Sequence, residues 1–331
     1  MPRVLITGIT GQDGGYLTEQ LLDEAERRGE PVEVHGLVHE LDTAGAAVVA
    51  RYPSVVLHRG DLADHEGLRR LVDEVQPDEL YNLAGISSVA YSWEHPVATA
   101  ELSGVAAARL FEAAYRLQER TGRQVACVQA SSSEIFGAAQ AFPQDEATPI
   151  RPVSPYGAAK AYAHHMVGVY RGKGLHVSSC ILFNHESPRR PPTFVTRKIT
   201  SAAARIGVEG TGTILLGNLD ARRDWGWAAD YVDAMVRAAR YAEGDDYVIA
   251  TGETHTVAEF AEAALRHAGV GDSWLDHVEV DQDLMRPQDT PLMVGDPTKA
   301  RTRLGWTPTV TFDELVGRMV DHDLALLRAR R

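Results

Sequence analysis

The opening of the chain constrains the fold more than any other stretch. Val4-Leu5-Ile6 is a short apolar run that predicts a buried strand, and glycines follow it at positions 8, 11 and 14. The next residues predict a helix over 16–28, with leucines at 17, 21 and 22 on one side. In a strand–turn–helix unit the backbone can approach a pyrophosphate, whose charge meets the amides of the helix N-terminus. The opening therefore predicts a dinucleotide-binding turn.

The alternation of strand and helix continues through the first half of the chain. Apolar runs predict strands over 32–38, 55–57, 80–85, 125–130 and 177–183, with helices over 95–119 and 155–170 between the later ones. Strands separated by helices form parallel sheets with helices on both faces. We therefore expect an α/β fold built on a doubly wound parallel Rossmann sheet.

From about residue 184 the composition changes. The segment 184–192 is polar and proline-rich, which is typical of irregular structure. Two later segments, Thr256-Val257-Ala258-Glu259 and Thr311-Phe312-Asp313-Glu314, match the capping box that opens a helix. We expect a dinucleotide-binding domain over 1–183, to which the chain returns later, and a smaller C-terminal α/β substrate lobe formed mainly by 184–331.

Four side chains form the predicted catalytic group. Tyr156 and Lys160 are four residues apart in a predicted helix, so they share one face. A lysine ammonium beside a phenol favours the phenolate and so makes it a base. Ser132 and Glu134 come just after the fifth predicted strand, and ligands of open α/β sheets lie at the carboxyl ends of strands. These groups together suit proton and hydride transfer on a sugar.

The segment after the second predicted strand bears on the choice of cofactor. It reads His39-Glu40-Leu41-Asp42, and no arginine precedes Arg51. A 2′-phosphate would meet carboxylates there, whereas a free 2′-hydroxyl can donate a hydrogen bond to Glu40. This favours NAD over NADP, with the alternative that Glu40 is a solvated loop residue. Leu83 and Ala84 belong to a small-residue stretch that lets a cofactor lie close.

Composition excludes several other classes of protein. The net charge of −13 argues against a nucleic-acid-binding surface. No apolar stretch reaches the length of a membrane span, and no signal peptide opens the sequence. Cys127 and Cys180 lie inside apolar runs and are typical of buried thiols in a reducing compartment. We expect a cytoplasmic protein, without a metal site because no cluster of metal ligands is visible.

The sequence resembles a known group, the extended short-chain dehydrogenases/reductases, and within it the GDP-mannose 4,6-dehydratases. The resemblance spans nearly the whole chain. The runs that carry it include 7–14, 154–160, 182–190, 194–199, 223–226, 248–252, 295–300 and 304–306. It implies a cofactor that is bound tightly and regenerated, NAD or NADP, and a nucleotide-diphosphate sugar similar to GDP-mannose as substrate.

The resemblance also implies roles at matching positions. Ser132 replaces a catalytic threonine and keeps its hydroxyl, while Glu134, Tyr156 and Lys160 match the other catalytic positions. The resemblance adds Asp61, Leu62, His185 and Arg190 to the cofactor contacts expected from the sequence itself. The full set is Gly8, Thr10, Gly11, Gln12, Asp13, Gly14, Glu40, Asp61, Leu62, Leu83, Ala84, Tyr156, Lys160, His185 and Arg190. The implied substrate contacts are Ser87, Asn184, Val195, Lys198, Arg223 and Arg286.

Departures from the family pattern leave some points open. Paired arginines and serines that hold the NADP phosphate are absent from the shorter loop around His39 and Glu40. That loop also supports tetramer contacts in the family. We therefore expect a homodimer, paired through the helices over 95–119 and 155–170, with a tetramer left open. Ile86-Ser87-Ser88 replaces the family's Gln-Ser-His, which leaves the exact sugar open.

The predicted reaction is oxidation at sugar C4, elimination of water across C5 and C6 with Glu134 as base and then acid, and return of the hydride to C6. Two alternatives stay open. An epimerase or decarboxylase of the same fold also oxidises C4 but has no need of a carboxylate at position 134. A non-catalytic dinucleotide sensor would need neither Tyr156 nor Lys160.

Overall fold

The computed structural model describes residues 1–285, 288 and 290–329. Its strands are β1 Arg3–Thr7, β2 Glu33–Val38, β3 Val56–Arg59, β4 Glu79–Asn82, β5 Ala126–Ser132, β6 Val177–Leu182, β7 Asn184–Glu186, β8 Ile214–Leu216, β9 Arg222–Arg223, β10 Trp225–Trp227, β11 Asp246–Ile249, β12 His255–Thr256, β13 Val278–Val280 and β14 Leu292–Met293. Its α-helices are α1 Gln12–Arg28, α2 Thr43–Arg51, α3 His65–Val75, α4 Val89–Glu94, α5 Pro96–Ala100, α6 Ala106–Thr121, α7 Pro155–Gly172, α8 Val195–Glu209, α9 Ala228–Arg240, α10 Val257–His267 and α11 Phe312–Ala329.

The central sheet has seven strands in the order β11-β6-β5-β4-β1-β2-β3, and every neighbouring pair is parallel. The order reverses between β1 and β4, as in doubly wound folds, and there the carboxyl ends of the strands open a crevice. The predicted fold class is confirmed. The seventh strand, β11, comes from the C-terminal half of the chain.

Apolar side chains cover both faces of this sheet. On one face α1 and α9 pack against the strands, with Leu17, Leu21 and Met235 fully or almost fully buried. On the other face α3, α6 and α7 do so, with Leu68 and Phe111 in the core. A third apolar cluster joins α8, α10 and α11 in the C-terminal half. The predicted division at residue 183 stays a prediction, while α9 and β11 show that the chain returns to the sheet after it.

Local signals explain several element boundaries. Both predicted capping boxes are formed. The Thr256 hydroxyl accepts from the Glu259 amide at 2.9 Å, and the Glu314 carboxylate accepts from the Thr311 amide at the same distance. The helix predicted over 95–119 is instead α5, a π-helical turn over Glu101–Val105 and α6 in succession. The π-helical turn packs against α7. The interruption of the helix thus coincides with a tertiary contact, which the local sequence does not predict.

Candidate active site

A cavity of about 370 Å³ lies at the carboxyl ends of β5 and β6, between the sheet and the C-terminal half. Predicted residues that line it are Asp13, Leu83, Ser87, Ser132, Glu134, Tyr156, Lys160, Asn184, His185, Arg190, Val195, Lys198 and Arg223. Predicted residues that do not line it are Gly8, Thr10, Gly11, Gln12, Gly14, Glu40, Asp61, Leu62 and Ala84. Arg286 lies outside the described residues. The structure thus brings the predicted catalytic and substrate side chains to one place.

Helix α7 carries Tyr156 and Lys160 into the cavity because its first turn is fixed. The Ser154 hydroxyl caps it by accepting from the Gly157 amide at 3.0 Å, and Pro155 occupies the first helical position. Gly157 has no side chain to hold the helix away from strand β5. A Cβ there would lie 2.6 Å from the Glu134 carbonyl oxygen. The beginning of α7 therefore packs directly against the turn that follows β5.

The end of β5 positions Ser132 and Glu134. The Ser132 hydroxyl accepts from the Glu134 amide at 3.3 Å and so caps the 3-10 turn Ser133–Ile135. This contact fixes the backbone that carries the Glu134 carboxylate into the cavity. Ser133, between the two, also lines the cavity. A hydroxyl and a carboxylate therefore reach the same space from one strand end.

The ionisation of Tyr156 and Lys160 is governed first by burial. Burial raises the pKa of Tyr156 to about 12, although its interaction with the Ser132 hydroxyl lowers it and the Glu134 charge raises it further. Burial lowers the pKa of Lys160 to about 8, against the pull of Asp13. The Lys160 ammonium donates to the Ala130 carbonyl at 2.8 Å and lies 5.8 Å from the centre of the Tyr156 ring. Burial therefore dominates the pKa of Tyr156, and the lowering of that pKa by Lys160 stays a prediction.

The glycine-rich turn fits a dinucleotide pyrophosphate. Gly11, at the N-cap of α1, has no side chain that could cap the first amides of the helix, which leaves them able to meet an anion. A Cβ on Gly14 would overlap the carbonyl oxygen of Gly8, so the turn can close only with glycine there. Both observations favour a bound diphosphate against the backbone.

Asp13 and His185 tie this turn to the exit of β6. The His185 ring donates from Nδ1 to the Phe183 carbonyl at 2.8 Å, and its Nε2 lies 3.0 Å from Asp13 Oδ2. Burial opposes a charge on His185, yet Asp13 outweighs it and raises the pKa of the ring. Burial likewise opposes the Asp13 charge, but His185 lowers the pKa of that carboxyl. The pair is thus an aspartate facing an imidazolium at the cavity wall.

Gln12 adds a second connection between the same segments. Its amide nitrogen donates to the His185 carbonyl at 3.1 Å, and its amide oxygen accepts from the Ser187 hydroxyl at 2.8 Å. Gln12 therefore holds the segment that follows β6 against the glycine-rich turn, although it does not line the cavity itself.

The C-terminal half supplies the opposite wall with basic side chains. Arg223 is buried and donates to the carbonyls of Arg222 and Thr290 at 2.9 and 2.7 Å. Lys198 lies in the first turns of α8. The parallel pairing of β7 with β10 brings Asn184 opposite Trp225 and so joins this wall to the segment that directly follows β6. These two cations and the catalytic group thus line the same cavity.

Sequence reasoning missed several residues of the cavity wall. Glu186 is buried, accepts from the Thr196 hydroxyl at 2.6 Å and lies 3.2 Å from the Arg190 guanidinium. It stands inside the run 182–190 that carried the family resemblance, so its place in that run could have marked it as a site residue. Trp225 likewise stands inside such a run, 223–226. Leu216 and Asn218 also line the cavity, and their position depends on the folding of the C-terminal half.

The predicted adenosine end lies away from the cavity. Glu40 is exposed in the loop after β2, and Asp42 is the N-cap of α2, accepting from the amides of Ala44 and Gly45 at 3.0 Å each. His39 Nε2 lies 3.9 Å from Asp61 Oδ2, so the exit of β3 is next to this loop. Glu40, Asp61 and Leu62 therefore cluster at the edge of the sheet.

Comparison with known proteins finds similarity over the whole chain. The family profile described as GDP-mannose 4,6 dehydratase matches residues 5–319. GDP-mannose 4,6 dehydratase 1 of Arabidopsis thaliana is 45% identical over 337 residues, which cover 99% of this chain and 91% of that protein. The Homo sapiens GDP-mannose 4,6 dehydratase is 42% identical, covering 98% and 92%. The Thermus thermophilus UDP-glucose 4-epimerase in complex with NAD has 31% identity and a TM-score of 0.82, covering 97% of this chain and 98% of that one.

Proposed function

Because the chain belongs to the GDP-mannose 4,6-dehydratase family, we propose that the cavity is where it converts GDP-mannose to the 4-keto-6-deoxy sugar nucleotide. The protein is an NAD(P)-dependent hydro-lyase of this family, and its substrate is a nucleotide sugar. The observation that supports the site assignment is that Ser132, Glu134, Tyr156 and Lys160 line one cavity together with cations suited to a diphosphate.

The reaction requires a base at the C4 hydroxyl. A nicotinamide cofactor held by the glycine-rich turn over 8–14, His185 and Arg190 would supply the hydride acceptor for C4 and the hydride donor for C6. Tyr156 takes the proton of the C4 hydroxyl, and Ser132 hydrogen-bonds that oxygen. Burial holds Tyr156 neutral, and the Arg190 charge lowers its pKa. The nearby Lys160 ammonium is proposed to favour ionisation of Tyr156 in the same way.

Elimination requires a second acid–base group. The ketone at C4 acidifies the C5 proton, which Glu134 removes. The same carboxyl group then protonates the C6 hydroxyl, which leaves as water. When the hydride returns to C6, C5 regains a proton. The proton that Tyr156 took from the C4 hydroxyl supplies this need, so the number of protons on the protein is restored. One carboxylate is thus proposed to act twice, because its neighbour in the chain is Ser133 rather than a second acid.

Mass spectrometry with GDP-mannose and NAD or NADP tests this assignment. The wild-type protein is expected to release a product lighter by one water. Glu134→Gln should slow dehydration by about 10²–10⁴-fold, the usual worth of a general acid–base group, while C4 oxidation survives in part. Glu253→Gln, at a residue outside the cavity, is the matched control and should keep full activity.

Other products would overturn the proposal. A product of unchanged mass but inverted C4 would indicate epimerisation, and no product with any nucleotide sugar would indicate a non-catalytic dinucleotide binder. Undiminished water release by Glu134→Gln would remove Glu134 from the mechanism while leaving the family assignment intact.

We further propose that NAD is preferred to NADP. The loop after β2 presents the exposed carboxylate of Glu40 and the capped α2 terminus, and its sequence carries no arginine. A 2′-phosphate would be repelled there, whereas a hydroxyl can donate to Glu40. Fluorescence titration should show tighter binding of NADH than of NADPH, and Glu40→Arg should narrow or reverse the difference. Tighter binding of NADPH to the wild type would refute the preference.

A homodimer is also proposed. Apolar side chains exposed on α4, α5, the following π-helical turn and α7 include Tyr91, Val97, Val105, Tyr162 and Val169, and these elements pack against one another. Such a patch on one face is typical of an interface between copies of a chain.

The cytoplasm is the compartment we propose. Cys127 and Cys180 are buried and form no disulfide with each other, as expected in a reducing environment. Within residues 1–285, 288 and 290–329, no helix has the length and apolar character needed to cross a bilayer.

A further inference from the structure

A row of buried polar side chains crosses three neighbouring strands beside the cavity. Thr7 of β1 is in register with Asn82 of β4, and Asn82 with Gln129 of β5. All three are at most 3% exposed. Two residues earlier on the same strands, the corresponding row is Leu5, Leu80 and Cys127, which belongs to the apolar core. Polar side chains therefore replace the core at the strand ends nearest the catalytic group.

Hydrogen bonds in this row all run in one direction. The Ala84 amide donates to the Thr7 hydroxyl at 3.2 Å, and that hydroxyl donates to the Asn82 carbonyl oxygen at 2.8 Å. The Asn82 amide group donates to Gln129 Oε1 at 2.7 Å, and Gln129 Nε2 donates to the Ala130 carbonyl at 2.8 Å. Aligned bonds of this kind strengthen one another in a low-dielectric interior.

The last acceptor of the row is also the one that holds Lys160. The Lys160 ammonium donates to the same Ala130 oxygen at 2.8 Å. The β4–β5 pairing ends at Asn82 and Gln129, one residue before Ala130. Two donors therefore share one carbonyl at the point where the ladder with β4 has ended. The other end of the row lies against the glycine-rich turn, since the Ala84 backbone packs on Gly8.

We propose that Gln129, held by Asn82 and Thr7, is a positioning residue that fixes the Ala130 carbonyl and thereby the Lys160 ammonium beside Tyr156. The inference rests on the proposed role of Lys160. It assigns Gln129 no contact with substrate or cofactor. The titratable groups that face Lys160 are Asp13 and Tyr156, and neither belongs to the row.

The chain is well suited to a direct test because it contains only four lysines, at positions 160, 173, 198 and 299. Protein labelled with 13Cε-lysine and freed of ligands would give four titrating NMR signals, with Lys160 assigned by its loss in Lys160→Met. Burial lowers the pKa of Lys160 to about 8, so its midpoint lies within an accessible range.

Gln129→Met removes the amide donor while keeping the length of the side chain. Lys160 then has the Ala130 oxygen to itself, so its ammonium form gains and its midpoint should rise by roughly 0.5–1 pH unit, the equivalent of one hydrogen bond. Asn82→Leu should give a smaller rise in the Lys160 midpoint. If Gln129→Met does not fold, this second variant tests the positioning role. The signals of Lys173, Lys198 and Lys299 should not move.

Ser178→Ala is the matched control, because the Ser178 hydroxyl is equally buried in β6 but donates to the Ala238 carbonyl at 3.2 Å, outside the row. It should leave the Lys160 midpoint unchanged. An unchanged midpoint in folded Gln129→Met, or an equal shift in Ser178→Ala, would overturn the positioning role. Since the titration needs no substrate, its outcome is independent of whether the protein dehydrates GDP-mannose.

Discussion

At the scale of single residues, the contact between Asp13 and His185 makes a prediction about pH. Although burial opposes a charge on both groups, their pairing lowers the pKa of Asp13 and raises that of His185. A lowered carboxyl pKa stabilises the fold above the unfolded value near 4, and this stability is lost as pH falls through the folded value. A raised imidazole pKa stabilises below the unfolded value near 6.5, and this stability is lost as pH rises through the folded value. The pair therefore stabilises most between these two unfolded values.

His185→Asn should lower the free energy of unfolding of the ligand-free protein by roughly 1–3 kcal/mol near pH 6, the worth of a hydrogen bond to a charged group. The difference from the wild type should shrink in alkaline buffer, where the wild-type ring has lost its proton. Urea unfolding at the two pH values measures this. A difference that grows with rising pH would show that the ring is neutral in the fold.

At the scale of elements, the glycine-rich turn and α1 act as one unit. Gly14→Ala would place a methyl group against the Gly8 carbonyl, and backbone must shift to accommodate it. We expect a loss of about 1–3 kcal/mol in stability from overpacking, together with at least tenfold weaker dinucleotide binding. Thermal unfolding with and without NADH separates the two effects, because only binding makes the midpoint depend on ligand concentration.

Gly172→Ala provides the comparison for this substitution. Gly172 ends α7, and a Cβ there would meet nothing within 4 Å. Its exchange should leave NADH binding unchanged. If NADH raised the thermal unfolding midpoint of Gly14→Ala as much as it raises that of the wild type, the turn would not be the pyrophosphate site.

How far the sequence predicts an element depends on whether its signal is local. The sequence predicts α7 over 155–170 and the helix spans Pro155–Gly172, because a serine cap and a proline mark its start. Apolar runs likewise predict where β5 and β6 end. Helices α2 and α3 were not predicted, although Asp42 and Asp64 cap them. The pairing of β7 with β10 arises only when distant segments meet, so Asn218 and Trp225 in the cavity wall were not predicted.

At the scale of the whole molecule, charge is distributed unevenly. The chain has a net charge of −13, yet Arg190, Lys198 and Arg223 all line the cavity. An acidic surface repels anions in general, whereas these cations favour an anion that reaches the cavity. A local concentration of basic residues in an acidic protein could be expected from the sequence. That residues so far apart in the chain line one cavity could not be predicted, because it depends on how α8 and β9 pack.

The exposed apolar patch on α4, α5 and α7 leads to a prediction about assembly. Val97 is 79% exposed, Val169 53% and Tyr162 45%, and the last two lie seven residues apart on one face of α7. Burying such side chains between two copies stabilises a dimer in proportion to the apolar area removed from water.

A charge introduced there would be buried without a partner, so Tyr162→Glu should weaken dimerisation at least tenfold. Leu326→Glu alters an equally exposed leucine on α11, outside the patch, and should leave assembly unchanged. Sedimentation velocity over a range of concentrations distinguishes the 36.1 kDa protomer from its dimer. A monomeric wild type, or a Tyr162→Glu variant that stays dimeric at every concentration, would contradict pairing through this patch.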